Sequence, residues 1–232
     1  MNRPFSPTHI LIVLKTILPH LGITLGVVAG TVVLGLLLAI LLVCQKRSKF
    51  WGKLADIYIH ITRCTPSIVI LFIVFYGIPK LFRAAFNIQI DFWPKIIFVI
   101  IALTLLYGAQ LAEIIRSSYE AVGKGQFEAG ISIGLTPFQT LRRIVIPQAV
   151  IYALPNFGNS LIALLKEGSL AYTIGLIDIM GAGNIFIARN YGAYALETYI
   201  ALAIVYWIMT LIVENGFKLL EKRLSKGSVY AA

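Results

Sequence analysis

Long apolar stretches alternate with short polar connections along this chain. Five runs of at least 16 residues contain no Asp, Glu, Lys or Arg: residues 16–45, 64–79, 96–112, 144–165 and 198–213. A helix needs about 20 apolar residues to cross the hydrocarbon core of a bilayer. The first and fourth runs are long enough alone, and the others suffice when extended past a flanking charge, which bundle-facing helices tolerate. We predict an all-α fold with five transmembrane helices, at 20–44, 64–86, 95–117, 147–167 and 196–218.

Two shorter segments complete this prediction. Residues 8–18 end at Pro19 and are typical of an amphipathic helix, which we expect to lie on the outer surface before the first span. Residues 168–177 are apolar but too short to cross, and glycines bracket them, so we expect an interfacial or re-entrant segment. No linker divides the chain, and residues 1–232 are expected to form one domain.

The composition agrees with a polytopic membrane protein. Hydrophobic residues make up 59% of the chain and charged residues 13%, whereas soluble domains contain about 25% charged residues. Intrinsic disorder requires low hydrophobicity and high charge, so it is excluded as well.

The net charge of +10 indicates an orientation, and we expect no nucleic-acid partner. Basic residues concentrate between predicted spans one and two, between spans three and four, and after span five. Cytoplasmic loops carry such an excess of Lys and Arg. The N-terminus is therefore predicted outside and the C-terminus in the cytoplasm, which an odd number of spans requires.

Motifs for catalysis and cofactor binding do not occur in the sequence. Gly123-Lys124-Gly125 lacks the glycine spacing and the Ser or Thr of a P-loop, so this chain is not expected to bind ATP. The three histidines occur singly, without the spacing of a metal site, and no nucleophile elbow is found. We expect neither an enzyme, nor catalytic residues, nor a bound metal or cofactor.

The predicted cytoplasmic loop at 125–146 contains the most informative motif. A short helix around Phe127 is followed by Gly134, where a left-handed cap is expected, and Thr136-Pro137 then starts a new helix. The alternative is a solvated loop with ordinary caps.

The same loop resembles the EAA motif of ABC importer permeases, Glu-Ala-Ala-x3-Gly-x9-Ile-x-Leu-Pro. The matching residues are Glu128-Ala129-Gly130, Gly134 and Ile144-Val145-Ile146-Pro147, with Gly130 in place of alanine and Ile146 in place of leucine. Blocks at 63–66, 107–116, 126–128, 146–149 and 165–170 are similar to the polar amino acid family, which includes histidine, glutamine and cystine permeases.

This resemblance implies the type I ABC importer permease fold in a bacterial cell membrane. The partners implied are a second permease (self or paralogue), two cytoplasmic ABC ATPase subunits that bind ATP and Mg²⁺, an extracytoplasmic solute-binding protein, the amino acid and membrane lipid. In such permeases the EAA helix sits in a groove of the ATPase. The resemblance makes these residues candidates for ATPase coupling: Phe127, Glu128, Ala129, Gly130, Gly134, Arg142 and Arg143.

A candidate substrate site lies at the end of the fourth span. Lys166 and Glu167 follow a long uncharged run, and such charges are costly in a membrane unless they are paired or face a polar cavity. Gly168 is expected to break the helix and free backbone groups for a ligand. The predicted substrate-binding residues are Lys166, Glu167, Gly168, Ser169, Ser160, Asn156 and Asn159. The alternative is an interfacial pair without a ligand role.

The helix face formed by Asn156, Ser160 and Glu167 is otherwise small, neutral and polar. It favours a neutral or zwitterionic amino acid, such as L-cystine or glutamine, over a cationic one. Near the cytoplasmic end of the third span, Glu113 and Arg116 are candidates for a gate-side ion-pair network with Arg63, although packing and orientation explain them equally well. The alternative functions are a self-contained channel or ion-driven carrier for small polar solutes, and a membrane scaffold.

Overall fold

The computed structural model describes residues 5–45 and 48–225, and in this part of the chain the regular elements are helices. They are α1 (Pro7–Ile17), α2 (Leu21–Gln45), α3 (Lys49–Cys64), α4 (Ser67–Phe72), α5 (Ile78–Phe86), α6 (Lys95–Ala121), α7 (Lys124–Ser132), α8 (Pro137–Thr140), α9 (Ile146–Gly168), α10 (Ile179–Arg189) and α11 (Ala195–Ser225).

Five helical stretches in the described residues are long and apolar enough to cross a membrane, which confirms the predicted number. They are Pro7–Gln45, Ser67–Phe86, Lys95–Ala121, Pro137–Ile174 and Ala195–Leu224. Two of them contain π-helical turns, at Ile73–Gly77 between α4 and α5 and at Leu141–Val145 between α8 and α9. The orientation of the termini stays a prediction.

The centre of the bundle is the parallel pair of α2 and α6. Glycines let the two backbones approach closely, as small residues do between transmembrane helices. A Cβ built on Gly35 would lie 2.9 Å from Tyr107 Cδ1, and one on Gly108 would lie 2.8 Å from Leu38 Cδ2. α6 also packs against α3 and α9, so it connects the elements that form the site described below.

The helix expected over 8–18 belongs to the bundle. α1 continues into α2 through a 3₁₀ turn at Leu18–His20. Val13 and Ile17 are completely buried because α1 packs against α10 and α11. Pro19 fits this joint, since a proline in the first turn of a helix interrupts no required backbone hydrogen bond.

The helix α3 was not predicted. It precedes the second span, and it ends at Cys64 because Pro66 disfavours the helical conformation of the residue before it. The second span therefore starts at Ser67, three residues later than expected.

The segment after α9 folds over the end of the bundle opposite the loop between α7 and α8. A 3₁₀ helix at Ser169–Ile174 leads to Gly175, whose φ of 78° reverses the chain. α10 is then capped by Asp178, whose Oδ1 accepts a hydrogen bond from the Gly181 N–H at 2.8 Å. Burial raises the pKa of this carboxyl group above its ordinary value.

Candidate functional site

A polar cavity lies between α6, α9 and the beginning of the second span. It consists of two neighbouring chambers of about 420 and 270 Å³, which share Arg63 and Gln110 in their walls. The larger chamber is lined by Arg63, Gln110, Glu113, Ile114, Ser117, Asn156, Asn159 and Ser160. The smaller chamber is lined by Thr62, Arg63, Thr65, Ser67, Leu106, Gln110 and Glu167.

The cavity brings together two groups of residues that the sequence analysis treated separately. Asn156, Asn159 and Ser160 were predicted to bind substrate, whereas Arg63 and Glu113 were predicted to form an ion pair. The pattern on α9 explains this, because residues three and four positions apart share one helix face. That face meets α6 at the depth of Glu113.

Glu113 is held by two arginines. Its Oε2 lies 3.6 Å from Arg63 Nη1 and 3.0 Å from Arg116 Nη2. Arg116 also donates to Glu120 at 2.8 Å, which extends the predicted network by one residue. The charge of Glu113 is therefore compensated within this chain, and its role as a gate stays a prediction.

Lys166 and Glu167 do not act as the pair that the sequence suggested. Adjacent residues on a helix point in different directions. Glu167 lines the smaller chamber, whereas Lys166 is exposed, and no ion pair joins the two residues, both of which the structure describes. Glu167 therefore faces the cavity without Lys166, and the role of both residues in substrate binding stays a prediction.

The backbone at Gly168 is also different from the expectation. Gly168 has helical φ and ψ angles of −55° and −30°, and the N–H of Ser169 is bonded to the carbonyls of Glu167 and Lys166. The Ser169 hydroxyl donates to the Lys166 carbonyl at 2.6 Å. The helix tightens into a 3₁₀ turn instead of breaking, so these backbone groups are not free for a ligand.

Several cavity residues were missed. Gln110 lies three residues before Glu113 on the same face of α6, a spacing that could have identified it. Thr65 belongs to the block 63–66 that resembles the amino acid permeases, and Ser67 follows it. Thr62 precedes that block and carries no comparable signal in the sequence.

The loop between α6 and α9 is a bent helix pair, with its corner at Gly134. Gly123 (φ 75°) precedes α7, and Gly134 (φ 86°) follows it in the left-handed region that glycine permits. Thr136 then forms a capping box with Gln139, in which the Thr136 hydroxyl accepts from the Gln139 N–H at 3.3 Å and the Gln139 Oε1 accepts from the Thr136 N–H at 2.9 Å.

Two contacts fix the angle of this pair. A Cβ on Gly130 would lie 2.9 Å from Thr140 Oγ1, closer still to Thr140 Cγ2, and 3.1 Å from Ile144 Cδ1. Gln148 Nε2 donates to Gln126 Oε1 at 3.2 Å and to the Ile144 carbonyl at 3.0 Å. The glycine that departs from the EAA pattern is therefore the residue at which α7 and α8 touch.

The predicted coupling residues differ in their exposure to solvent. Glu128, Ala129, Gly134, Arg142 and Arg143 are exposed, whereas Gly130 is buried.

Phe127 is half-buried and lines a hollow of about 400 Å³ together with Glu128. The bulky apolar side chains that are most exposed here are Ile133 (75%) and Phe138 (69%), which the sequence analysis did not select. Ile133 and Phe138 are therefore further candidates for an apolar anchor on this loop, and the role of Phe127 stays a prediction.

Comparison with known proteins identifies the family. The family described as "Binding-protein-dependent transport system inner membrane component" matches residues 22–226. The L-cystine transport system permease protein TcyL of Bacillus subtilis (strain 168) is 38% identical over 97% of this chain and 94% of its own length. The arginine transport system permease protein ArtQ of the same organism is 34% identical over 97% of this chain and 98% of its own.

A solved structure agrees with these relatives. The crystal structure of an amino acid ABC transporter with histidines contains a chain that superposes with a TM-score of 0.78 at 30% identity, and the match covers 96% of this chain and 100% of the other. The fold is that of a type I ABC importer permease in a bacterial inner membrane, and ATP hydrolysis lies on partner subunits. The chain belongs to the binding-protein-dependent transport system inner membrane components and, among them, to the amino acid ABC permeases.

Proposed function

We propose that the polar cavity is the pathway of a neutral or zwitterionic polar amino acid, with L-cystine as the leading candidate. The observation that carries the proposal is the placement of Arg63 and Glu167 in the wall of one cavity whose other polar groups are largely amides and hydroxyls. A guanidinium group suits an α-carboxylate, and a carboxylate suits an α-ammonium group. The cavity size is within the range of small-molecule sites.

The charges of the cavity favour a zwitterion over a cationic amino acid. A cationic amino acid brings a net positive charge that cavity carboxylates must compensate, whereas a zwitterion, including L-cystine with two ammonium and two carboxylate groups, brings no net charge. Glu113 is engaged by Arg63 and Arg116, which leaves Glu167 as the cavity carboxylate without an ion pair in the described residues. The similarity to a cystine permease supports a zwitterionic substrate. The similarity to an arginine permease makes arginine the main alternative substrate.

A second permease, either another copy or a paralogue, completes the pathway. Asn156 and Asn159 line the cavity but are exposed in the single chain, so the cavity is open on one side. Polar side chains at this depth are costly against lipid. An extracytoplasmic binding protein delivers the amino acid, and two ATPase subunits with ATP and Mg²⁺ bind at the loop that contains Glu128.

The substrate is tested by ATPase stimulation in proteoliposomes that contain the whole transporter. We expect L-cystine or another zwitterion to stimulate hydrolysis and arginine to have little effect. Glu167→Gln should weaken the response because a charged hydrogen bond of about 1.5–3 kcal/mol is lost, whereas Lys166→Gln, at the exposed neighbouring position, should change it much less. Equal loss in both variants, or stimulation by arginine alone, contradicts the proposed site.

Coupling through the loop is tested separately. Glu128→Gln should reduce transport and substrate-stimulated hydrolysis together while the protein still inserts, and Glu221→Gln on α11 serves as a matched control. Transport that persists in Glu128→Gln contradicts coupling at this residue. Substrate flux through liposomes that contain this chain alone, without an ATPase, would support the self-contained channel or carrier.

A further inference from the structure

The helix α3 has three distinct faces. The residues that face the bundle are Gly52, Ala55, Ile59 and Thr62, all of them buried. A second face is apolar and exposed, and it is formed by Phe50 (66%), Leu54 (44%), Ile57 (55%) and Ile61 (59%), with Trp51 at its edge. A third face contains Lys49, Lys53, Asp56, His60 and Arg63.

These faces distinguish α3 from the spanning helices. α3 is not among the five spans, and charged side chains recur along its length. A helix with Trp, Phe and Leu on one face and Lys or Arg on another is typical of the membrane interface. The apolar face then enters the acyl boundary, and the polar face meets the headgroups.

α3 starts at the end of the bundle and extends inward along it, because Tyr58 reaches the middle of the span formed by α6. The Tyr58 hydroxyl donates to the Leu105 carbonyl of α6 at 2.7 Å, and burial raises the pKa of Tyr58 to about 12, so the hydroxyl keeps its proton. α3 starts after the end of α2, at the end of the bundle where α6 enters the loop with the EAA motif. The bundle face is thereby fixed, and the other two faces are directed outward.

We propose that the polar face of α3 binds the headgroups of anionic phospholipids. Arg63 is engaged by Glu113, and Lys49 and Lys53 alone exceed the single carboxylate of this helix, Asp56, so the face carries net positive charge. Each basic residue near an anionic membrane surface contributes about 1 kcal/mol. Lys49 and Lys53 are exposed, one helical turn apart, beside the apolar face that places them at headgroup level.

This lipid contact is linked to the polar cavity through the helix itself. α3 ends at Cys64, next to Arg63, which contacts Glu113 and lines both chambers. We therefore expect anionic lipid to lower the substrate concentration that half-saturates ATPase stimulation. This last expectation rests on the proposed function, whereas the lipid contact does not.

The lipid contact is tested by fluorescence quenching in vesicles. Trp93→Phe and Trp207→Phe leave Trp51 as the single tryptophan of the full chain. Brominated phosphatidylglycerol should quench Trp51 more strongly than brominated phosphatidylcholine at the same mole fraction. In Lys49→Gln/Lys53→Gln this preference should fall by about fivefold for each lysine removed.

Two controls make the result specific. Lys222→Gln/Arg223→Gln removes two exposed charges from the end of α11, at the same end of the bundle, and should leave the preference unchanged. Lys49→Arg/Lys53→Arg keeps both positive charges and should retain the preference. A loss in Lys49→Gln/Lys53→Gln alone is then due to the missing charge and not to misfolding. Equal quenching by the two lipids in the parent chain overturns the proposal, and quenching by neither shows that protein, such as a second copy, covers this face.

The link to the cavity has its own readout. In the whole transporter, the half-saturating substrate concentration should be lower with phosphatidylglycerol than with phosphatidylcholine alone, and this difference should disappear in Lys49→Gln/Lys53→Gln. If Trp51 is quenched preferentially by phosphatidylglycerol but the half-saturating substrate concentration is the same in both lipids, the link to the cavity is wrong and the lipid contact stands. Absence of substrate stimulation in every lipid contradicts the proposed function instead.

Discussion

Replacing Gly130 with alanine tests whether the contact between α7 and α8 sets the geometry of the loop that contains the EAA motif. The added Cβ would lie 2.9 Å from Thr140 Oγ1 and closer still to Thr140 Cγ2. Thr140 is completely buried, so its side chain has no open space to enter. The two helices must separate by roughly 1 Å to restore an ordinary contact of about 3.5 Å.

The energetic cost follows from two opposing effects. Overpacking of this kind costs about 1–3 kcal/mol, and alanine regains about 1 kcal/mol of helix propensity relative to glycine. We expect a net destabilisation of about 1–2 kcal/mol. Since the helices move apart at the loop, substrate-stimulated ATPase activity should fall more than the fraction of folded protein.

The measurement is a double-mutant cycle with thermal unfolding and ATPase stimulation as readouts. Thr140→Ala should restore both in the Gly130→Ala background, because it removes the colliding atoms and a buried hydroxyl that has no hydrogen-bond partner among residues 5–45 and 48–225. Thr140→Val keeps the branched shape and should not restore them. If Gly130→Ala behaves like the parent chain, or if Thr140→Val rescues as well as Thr140→Ala, the steric explanation is wrong.

Two further predictions concern single side chains. Gln148→Ala removes the hydrogen bond to Gln126 and should lower the free energy of unfolding by about 0.5–1.5 kcal/mol. It should also weaken the stimulation of ATPase activity by substrate. Unchanged stimulation would show that this hydrogen bond has no part in coupling. Burial raises the pKa of the Asp178 carboxyl group above its ordinary value of 3.8, so the folded state favours the protonated form. The free energy of unfolding therefore falls as pH rises from 3.8 through the higher pKa of the folded state. Asp178→Asn keeps an acceptor for the Gly181 N–H, and its thermal stability should exceed that of the parent chain at neutral pH by a margin that shrinks as pH approaches 3.8; a margin independent of pH would contradict this origin.

The spans were predictable because each is a long apolar run. Charged side chains are costly in lipid, so a long run without them indicates a membrane-spanning segment. The shared face of Asn156 and Ser160 was predictable from helical spacing alone. Both features are local properties of the sequence.

The features that were missed depend on contacts between distant residues. α3 forms no continuous apolar run because Lys53 and Asp56 interrupt it, and its structure is decided by packing on α6. The role of Gly130 depends on Thr140, which lies in another helix. Lys166 and Glu167 were paired from adjacency in sequence, whereas the direction of each side chain is set by the helix to which both belong.

The helical stretch Pro137–Ile174 runs without interruption from the EAA loop to the opposite end of the bundle. Ser160 lies 23 residues after Pro137, which corresponds to about 35 Å of helix. The EAA loop and the cavity wall therefore belong to one continuous helical stretch, which contains the π-helical turn at Leu141–Val145 and Pro155 on the way to Ser160. If a partner subunit displaces α8, as the proposed coupling requires, the displacement has a continuous main-chain path to Ser160 and onward to Ser169–Ile174, with no intervening loop.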